Sequence, residues 1–189
     1  MRKICFALAA LLVSSTAQAD GELDKILSQF DKDRLANFDK TRSEALSEGL
    51  RGAPADVEIL TGALDGKPMP MDSGFDMTGT WKCRVIKVGG LLPLTPYGWF
   101  KCRVTDDGSG WSLEKISGSQ RLTGRFFTES ETRLVFVGAG HVNNDPARKY
   151  GSDPKEDQVA VVTRLGNNKI VLEFPAPQYE SKLDILLME

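Results

Sequence analysis

The chain has 189 residues, of which 41% are hydrophobic and 26% are charged, and its formal net charge is −2. This composition is typical of a folded globular protein, and the near-neutral charge argues against nucleic acid as the main partner. The single histidine, His141, excludes a metal site built from several histidines. Any mechanism that pairs serine or cysteine with histidine has to use that residue. No motif identifies a reaction, so we assign no catalytic residue, metal or cofactor and leave enzymatic activity open.

The N-terminal segment, residues 1–19, has the three parts of a secretory signal peptide. Arg2 and Lys3 are basic, residues 4–13 are apolar, and Ala17-Gln18-Ala19 fits the small-residue cleavage pattern. The apolar run is about half of the ~20 residues that a membrane-spanning helix needs. We therefore predict cleavage after Ala19 and a soluble periplasmic or secreted protein without a membrane span. A buried N-terminal helix is the alternative.

Cleavage at this position removes Cys5 and leaves two cysteines, Cys83 and Cys102. In an oxidising compartment, two remaining cysteines are typical of a disulfide. The alternative is a metal or redox pair, but the sequence has no C-x-x-C spacing and its histidine lies far along the chain. The cysteine count therefore predicts a Cys83–Cys102 disulfide.

Residues 20–77 have the pattern of an acidic helical segment followed by a linker. Residues 20–76 include 13 acidic and 7 basic residues, a net charge of −6. Apolar side chains recur at spacings of three and four, which predicts an amphipathic helix interrupted near Asp33 and ended by Gly52 and Pro54. A second short helix and an extended connector follow. The stripe of the first helix includes Leu23, Ile26, Leu27, Phe30, Leu35, Phe38, Ala45, Leu46 and Leu50.

Residues 78–189 change to an alternation with a period of two, which is typical of strands. Turn residues separate eight such runs. We predict a mainly β protein with N-terminal helices, in which an eight-stranded up-and-down β-barrel forms one domain; a sandwich is the alternative. Trp111, Phe126, Phe136 and Phe174 are predicted core residues. The predicted strands are 80–88, 97–105, 110–117, 121–128, 132–138, 157–165, 169–175 and 181–188.

The predicted disulfide suggests a register for the first hairpin. If Cys83 lies opposite Cys102, then Val85 meets Phe100 and the apolar faces of the two strands coincide. The opposite face then carries Lys82, Arg84, Lys101 and Arg103, with Lys82 opposite Arg103 and Arg84 opposite Lys101.

Like charges directly across a ladder are destabilising, so we expect an acidic neighbour for these four basic residues. One source is the last strand, where alternation predicts Leu183, Ile185 and Leu187 inside and Glu180 and Asp184 outside. The other source is the acidic N-terminal segment, docked through Leu23, Ile26, Leu27, Phe30 and Phe38. A solvated basic patch without a partner is the third possibility.

Gly79-Thr80-Trp81 opens the first strand, and a G-x-W at the start of an eight-stranded meander resembles the lipocalin and calycin superfamily. The resemblance is at the level of fold and covers residues 79–189. It implies that Trp81 closes one end of the barrel beneath a basic residue from near the last strand, for which Lys182 is a loose substitute.

Four further segments resemble an uncharacterised family of exported bacterial proteins, one of the families named as domains of unknown function. They are residues 81–84 (WKCR), 97–103 (YGWFKCR), 117–121 (SGSQR) and 179–186 (YESKLDIL). The likeness spans nearly all of the chain after the signal peptide. It implies export and a single-family architecture, with no assigned activity.

Candidate ligand-binding residues lie where strands begin. Gln120 and Arg121 open one predicted strand and Tyr179 and Glu180 open the last, so all four could line one barrel end and hold a polar head group. The alternative is a hydrogen-bonded network that ties strand ends together. Trp81 is a fifth candidate.

Two loops supply the remaining candidates. Leu92 belongs to an apolar loop tip with Leu91 and Leu94, which forms a lid or folds onto the barrel. The 20-residue connection from Gly138 to Asp157 carries His141 and Tyr150. A connection of this length is often functional, and a solvated surface loop is the alternative.

These features favour an exported, lipocalin-like binding module for a small apolar or amphipathic molecule. The alternative is a periplasmic module for protein–protein interaction, including a barrel of the protease-inhibitor kind, that uses the N-terminal helices or the barrel rim. The expected partners are therefore a small apolar ligand or another periplasmic protein, with neither nucleic acid nor a membrane span.

Overall fold

The structure, a computed structural model, describes residues 17–71, 74–143 and 145–189. The predicted signal peptide lies largely outside these ranges and stays a prediction. In this part of the chain, no helix is both long enough and apolar enough to cross a membrane. The four helices are α1 (Ala17–Ile26), α2 (Gln29–Ala36), α3 (Phe38–Gly49) and α4 (Pro54–Leu64).

The N-terminal helices break at different places from the predicted one. The chain leaves the helix at residues 27–28 and again at Asn37, whereas Asp33 lies within α2. Ser28 starts α2 because its Oγ accepts a hydrogen bond from the backbone N of Asp31 (3.2 Å), which satisfies one of the free N–H groups of the first turn. Pro54 then starts α4, where its missing N–H is harmless.

The eight predicted strands all form, and they close into an antiparallel up-and-down barrel in which β8 pairs with β1. Closure gives every strand two partners and leaves no exposed sheet edge. The strands are β1 (Gly79–Val88), β2 (Leu94–Asp106), β3 (Trp111–Lys115), β4 (Gln120–Ser130), β5 (Arg133–Val142), β6 (Asp157–Gly166), β7 (Lys169–Pro175) and β8 (Leu183–Met188).

The Cys83–Cys102 disulfide is confirmed, but the predicted register of its hairpin is wrong by two residues. Cys83 lies opposite Phe100 and Trp81 lies opposite Cys102, so the disulfide joins diagonal neighbours whose Cα atoms are 5.9 Å apart. A shift of two residues keeps every side chain on the same face. The hydrophobic pattern therefore could not distinguish the two registers.

The barrel interior holds the main apolar core. The three predicted core phenylalanines pack edge to face in a row, with ring centroids 5.5 Å apart for Phe126–Phe136 and 5.9 Å for Phe136–Phe174. Trp111 is partly buried and packs against the same core. Other inward residues of this core include the two disulfide cysteines, Val104, Leu113, Leu122, Leu134, Ala160, Val162, Ile170, Leu172, Leu186 and Met188.

The helices cover the outside of the barrel, so the N-terminal segment docks as predicted. Ala45 and Leu60 pack against β1, β7 and β8 through residues such as Ile86. Leu23 packs against Val135, Val137 and Val159 of β5 and β6.

Two members of the predicted docking stripe do not take part. Ile26 and Phe30 remain 39% and 54% exposed. The predicted stripe ran through the break at residues 27–28. Ile26 is the last residue of α1, and after the break the chain turns so that Phe30 points away from the barrel.

The prediction for the last strand is wrong about its two faces. Leu183, Ile185 and Leu187 pack outward under the helices, whereas Leu186 and Met188 lie in the barrel core. Asp184 shares their inward face and lines the cavity described below. Because the helices bury the outer face, both faces of β8 are largely apolar, and alternation alone does not say which one is inside.

Neither predicted source supplies an acidic partner for the four basic residues among the described ion pairs; the ladder instead places Glu114 opposite Arg103 and Glu189 opposite Lys82. Glu180 pairs with Lys87 instead, and Glu48 of α3 pairs with Lys182. Arg84 lies over the ring of Trp99, 4.4 Å from its centroid. Lys82, Lys101 and Arg103 form no ion pair within the described part of the chain.

Candidate functional site

One end of the barrel, which we call the mouth, is formed by the connections that follow β1, β3, β5 and β7. It contains a cavity of ≈ 410 Å³ that opens to solvent on one side. The other end is closed by Met71, Phe75, Met77, Trp81 and Trp111, which pack against the barrel core. The indole Nε1 of Trp81 donates a hydrogen bond to the carbonyl oxygen of Met77 (2.9 Å).

The floor of the cavity is apolar. Val85, Leu122, Phe174 and Leu186 line it, and all four pack in the barrel core. Below them the interior is filled, because Phe136 packs edge to face against Phe174 and is fully buried. The cavity is therefore confined to the mouth and does not extend along the barrel.

One wall of the cavity is a lysine between two carboxylates. Lys87 Nζ lies 2.5 Å from Glu180 Oε2, and Lys87 is the ladder neighbour of Asp184. Burial raises the pKa of the Asp184 carboxyl above its ordinary value. Burial works against the charged form of Lys87, but the hydrogen bond that it donates to Glu180 and the charges of Glu180 and Asp184 together raise the pKa of its ammonium group. Ser181 Oγ donates to Asp184 Oδ1 (2.5 Å) and holds it in place.

The loop beside this wall is held by a close backbone contact. Gly90, at φ +88°, lies so near to Glu180 that a Cβ would come within 2.6 Å of its carbonyl oxygen. Leu91 N donates to the same carbonyl oxygen (2.9 Å). Only glycine fits such an approach in this conformation, so Gly90 keeps the β1–β2 loop against the β7–β8 connection.

The opposite wall is built around Lys115, which sequence reasoning missed. Its Nζ donates to the carbonyl oxygens of Ser117 (2.9 Å) and Gln120 (2.6 Å) and lies 4.0 Å from the ring centroid of Phe100. Burial, with a smaller effect of the Arg121 charge, lowers the pKa of Lys115 to about 8. Lys115 lies two residues after the inward Leu113 on the same strand and therefore shares its face. This spacing was the signal that could have identified it as an interior lysine.

Four of the seven predicted ligand-binding residues line this cavity: Gln120, Arg121, Tyr179 and Glu180. His141 also lines it, although it lies within β5 and not in a loop as predicted, because β5 continues to Val142. His141 is buried, and neither ring nitrogen has a hydrogen-bond partner among the described residues. Burial of an imidazole without a partner is costly.

The other three predicted residues lie elsewhere. Trp81 is at the closed end, and its expected basic partner Lys182 lies near the mouth, bound to Glu48. Leu92 is 58% exposed and does not cover the cavity. Tyr150 fastens α2 to the barrel, because its hydroxyl donates to Asp31 Oδ2 (2.5 Å) and accepts from Ser28 N (3.0 Å).

The walls and floor together suit a molecule with one polar and one apolar part. The carboxylates of Glu180 and Asp184 face a lysine already, whereas Arg121 has one donor on the carbonyl oxygen of Gly118 and further donors to offer. Among residues 17–71, 74–143 and 145–189 no three histidine, cysteine, aspartate or glutamate side chains cluster as metal ligands would.

Comparison with known proteins assigns the chain to a family. No curated protein and no solved structure shows a significant match to the chain. A family model described as "Domain of unknown function (DUF4893)" matches residues 24–188, which include nearly all of the helices and the whole barrel up to Met188. The match covers far more than half of the 189 residues. The chain therefore belongs to the DUF4893 family of domains of unknown function.

Proposed function

We propose that this protein is an exported, lipocalin-like binding protein that holds a small amphipathic molecule in the mouth of its barrel. The observation that carries the proposal is the cavity of ≈ 410 Å³, with its apolar floor and charged rim. Small-molecule sites typically have about 300–1,000 Å³, mostly apolar walls and a few polar groups that orient the ligand.

The filled lower barrel limits the size of the apolar part. Phe136 packs beneath Phe174 of the floor, so a long acyl chain has no room to extend along the barrel axis. The ligand should be compact, with its apolar part on Val85, Leu122 and Leu186. Its polar part then lies at the rim, beside the guanidinium of Arg121 and the hydroxyl of Tyr179.

The proposed export of the protein rests on features other than the cavity. The N-terminal pattern of residues 1–19 is that of a signal peptide, and a buried Cys83–Cys102 disulfide is typical of oxidising compartments such as the periplasm. The closed eight-stranded barrel with Trp81 at its closed end is in keeping with the lipocalin-like resemblance. The alternative interaction module loses support, because the apolar sides of α3 and α4 are already used against the barrel.

The proposal is tested with a fluorescent amphiphile, anilinonaphthalene sulfonate, titrated into the purified protein. We expect one saturable site per chain. Val85→Phe adds bulk to the cavity floor and should weaken this binding by at least about tenfold, the effect of losing roughly 1.4 kcal/mol. Thr105→Phe makes the same kind of addition at an exposed strand position and serves as the matched control.

Native mass spectrometry of the exported protein then looks for a co-purified small molecule. A titration without saturation, or equal binding by wild type and Val85→Phe, would overturn the proposed ligand site. Thermal unfolding of both variants verifies that any loss of binding occurs in a folded barrel.

A further inference from the structure

The outer face of the first hairpin carries an exposed surface with four basic residues. We call it the hairpin surface, made of Lys82, Arg84, Trp99, Lys101 and Arg103. Its ladder neighbours include Glu189 opposite Lys82 and Glu114 opposite Arg103, neither of which forms an ion pair among the described residues, so the basic residues outnumber the acidic ones. Lys82 lies directly opposite Lys101 in the ladder, an arrangement that is destabilising unless something negative is near. The helices contact this hairpin at its mouth end, through Val88 and Leu94, and supply no acid to Lys82, Lys101 or Arg103 among the described ion pairs.

The tip of the same hairpin is apolar and exposed. Leu91 and Leu92 are 80% and 58% exposed. The loop is not loose, because Gly90 is wedged against Glu180 and Leu91 N is bonded to the Glu180 carbonyl. The disulfide ties the two strands together further down the hairpin. Two leucines are thus presented to the surroundings by a rigid support.

Trp99 joins the apolar tip to the basic residues. The residue is 43% exposed, and its ring carries the Arg84 guanidinium over one face. From the tip outward along one hairpin, the order is two leucines, one tryptophan and then the charges of Lys101 and Arg103. Apolar residues that enter a bilayer, an aromatic residue at the headgroup level and basic residues on phosphates follow this same order.

We propose that the hairpin surface and its leucine tip dock on the surface of an anionic phospholipid bilayer. Leu91 and Leu92 enter between the lipids, and Lys82, Lys101 and Arg103 meet the headgroup phosphates. A dissolved polyanion would use the charges alone and leave the exposed leucines unexplained. This interaction goes beyond the small-molecule site and does not depend on it.

The charge distribution also orients the docked molecule. The closed end carries exposed carboxylates, among them Asp76, Asp106, Glu129 and Glu131, which an anionic surface repels. The leucine tip lies at the mouth, where Leu91 adjoins Tyr179 and Glu180. Lys82 and Arg103 lie further along the same hairpin, toward the closed end. The docked barrel is therefore tilted, with the leucine tip in the lipids and the outer side of the hairpin facing the headgroups.

Co-sedimentation with phosphatidylcholine vesicles, with and without phosphatidylglycerol, tests this inference. Each variant should have the same N terminus, established by mass spectrometry, so that residues 1–19 do not influence the comparison. We expect sedimentation with the anionic vesicles, little with pure phosphatidylcholine, and release as the salt concentration rises. Lys82→Gln/Lys101→Gln should weaken binding about 25-fold, at about fivefold for each charge.

The matched controls remove the same kinds of side chain from surfaces outside the hairpin. Lys40→Gln/Lys67→Gln removes two exposed charges from the helices and linker, and Phe30→Ser removes an exposed apolar side chain from α2. Both should bind like wild type, whereas Leu91→Ser/Leu92→Ser should lose most of its binding. If that leucine variant still sediments like wild type and dissolved polyphosphate competes fully, the surface binds polyanions and not a bilayer.

Equal sedimentation with neutral and anionic vesicles, or no sedimentation with either, also overturns the inference. The cavity variant Val85→Phe separates it from the proposed ligand site, because that variant should bind vesicles normally. Removing the facing pair of lysines relieves their repulsion, so Lys82→Gln/Lys101→Gln should remain folded and its loss of binding is interpretable.

Discussion

The ammonium group of Lys115 lies in a place where burial opposes its charge. Its Nζ is bonded to two carbonyl oxygens and sits on the ring of Phe100, yet no carboxylate accompanies it among the described ion pairs. Gly118 makes this packing possible, since a Cβ there would come within 2.8 Å of the Phe100 ring. The residue therefore holds the β3–β4 turn at the mouth while its charged form remains costly.

Folding lowers the pKa of Lys115 from its ordinary 10.5 to about 8. Between these two pH values the unfolded chain holds more protons than the folded one, so the free energy of unfolding from this group rises with pH. Relative to Lys115→Met, we expect wild type to gain up to about 3 kcal/mol between pH 8 and pH 10.5. Urea unfolding at several pH values measures the difference.

The control is Lys101→Met, at an exposed position of the neighbouring strand. Its difference from wild type should stay nearly constant over the same pH range. A Lys115→Met difference that is equally constant would show that burial does not suppress the charge of Lys115.

At the scale of elements, α2 is attached to the barrel by a buried polar network. Asp31 and Arg34 are 1% and 4% exposed and pair with each other at 2.9 Å. Arg34 Nε donates to the carbonyl oxygen of Pro175, and Tyr150 donates to Asp31. Because Phe30 is half-exposed, this network, together with the packing of Leu23, holds the start of the segment.

Arg34→Met should therefore destabilise the protein by about 3–5 kcal/mol, since it leaves the Asp31 carboxylate buried without its cation. Phe30→Asp should change the free energy of unfolding by less than about 0.5 kcal/mol, as is usual at exposed positions. Urea unfolding gives both values, and limited proteolysis shows whether residues 20–76 are released first.

Two further variants sharpen this expectation. Arg51→Met removes an exposed arginine of the same segment and should be nearly neutral. Asp31→Asn combined with Arg34→Met removes the uncompensated charge and should recover part of the loss. If Phe30→Asp releases the segment faster than Arg34→Met does, the polar network is not the attachment.

At the scale of the whole molecule, carboxylates fall into two groups with opposite pH effects. Burial raises the pKa of Asp157, Glu173 and Asp184, all on strands of the barrel. Hydrogen bonds lower the pKa of surface carboxyls, Asp107 most strongly through its bonds from Arg125. Protonation of the first group stabilises the folded state at mildly acidic pH. Ionisation of the second group stabilises it at pH values above the acidic range.

We expect the contribution of Glu173 to stability to fall as the pH rises above its ordinary value of 4.5. A raised pKa means that the folded protein binds more protons than the unfolded chain in this interval, so the free energy of unfolding decreases with pH. Glu173→Gln should reduce this dependence, although it also removes the 2.7 Å ion pair with Arg42.

Urea unfolding between pH 4 and pH 7 checks the sign. Glu114→Gln, at an exposed position of β3, is the control and should follow the wild-type curve. An unchanged slope in Glu173→Gln would assign the pH dependence to other groups.

The sequence pattern was enough to predict the features that depend mainly on neighbouring residues along the chain. Alternation and turn residues were sufficient for the number and order of the strands, and the closed barrel followed from them. The same pattern placed Lys82, Arg84, Lys101 and Arg103 on one outer face. It also brought Gln120, Arg121, Tyr179 and Glu180 to one end, where the cavity lies.

Other features depended on contacts between segments distant in the chain. The register of the first hairpin is such a case, because registers two residues apart give identical faces and Cys83 reaches Cys102 diagonally. The inward face of β8 is another, because helices packed on Leu183, Ile185 and Leu187 make its outer face as apolar as its inner one. Alternation predicts a strand's interior face only where the other face meets water. Tertiary packing alone therefore placed Asp184 and Lys87 together inside the mouth.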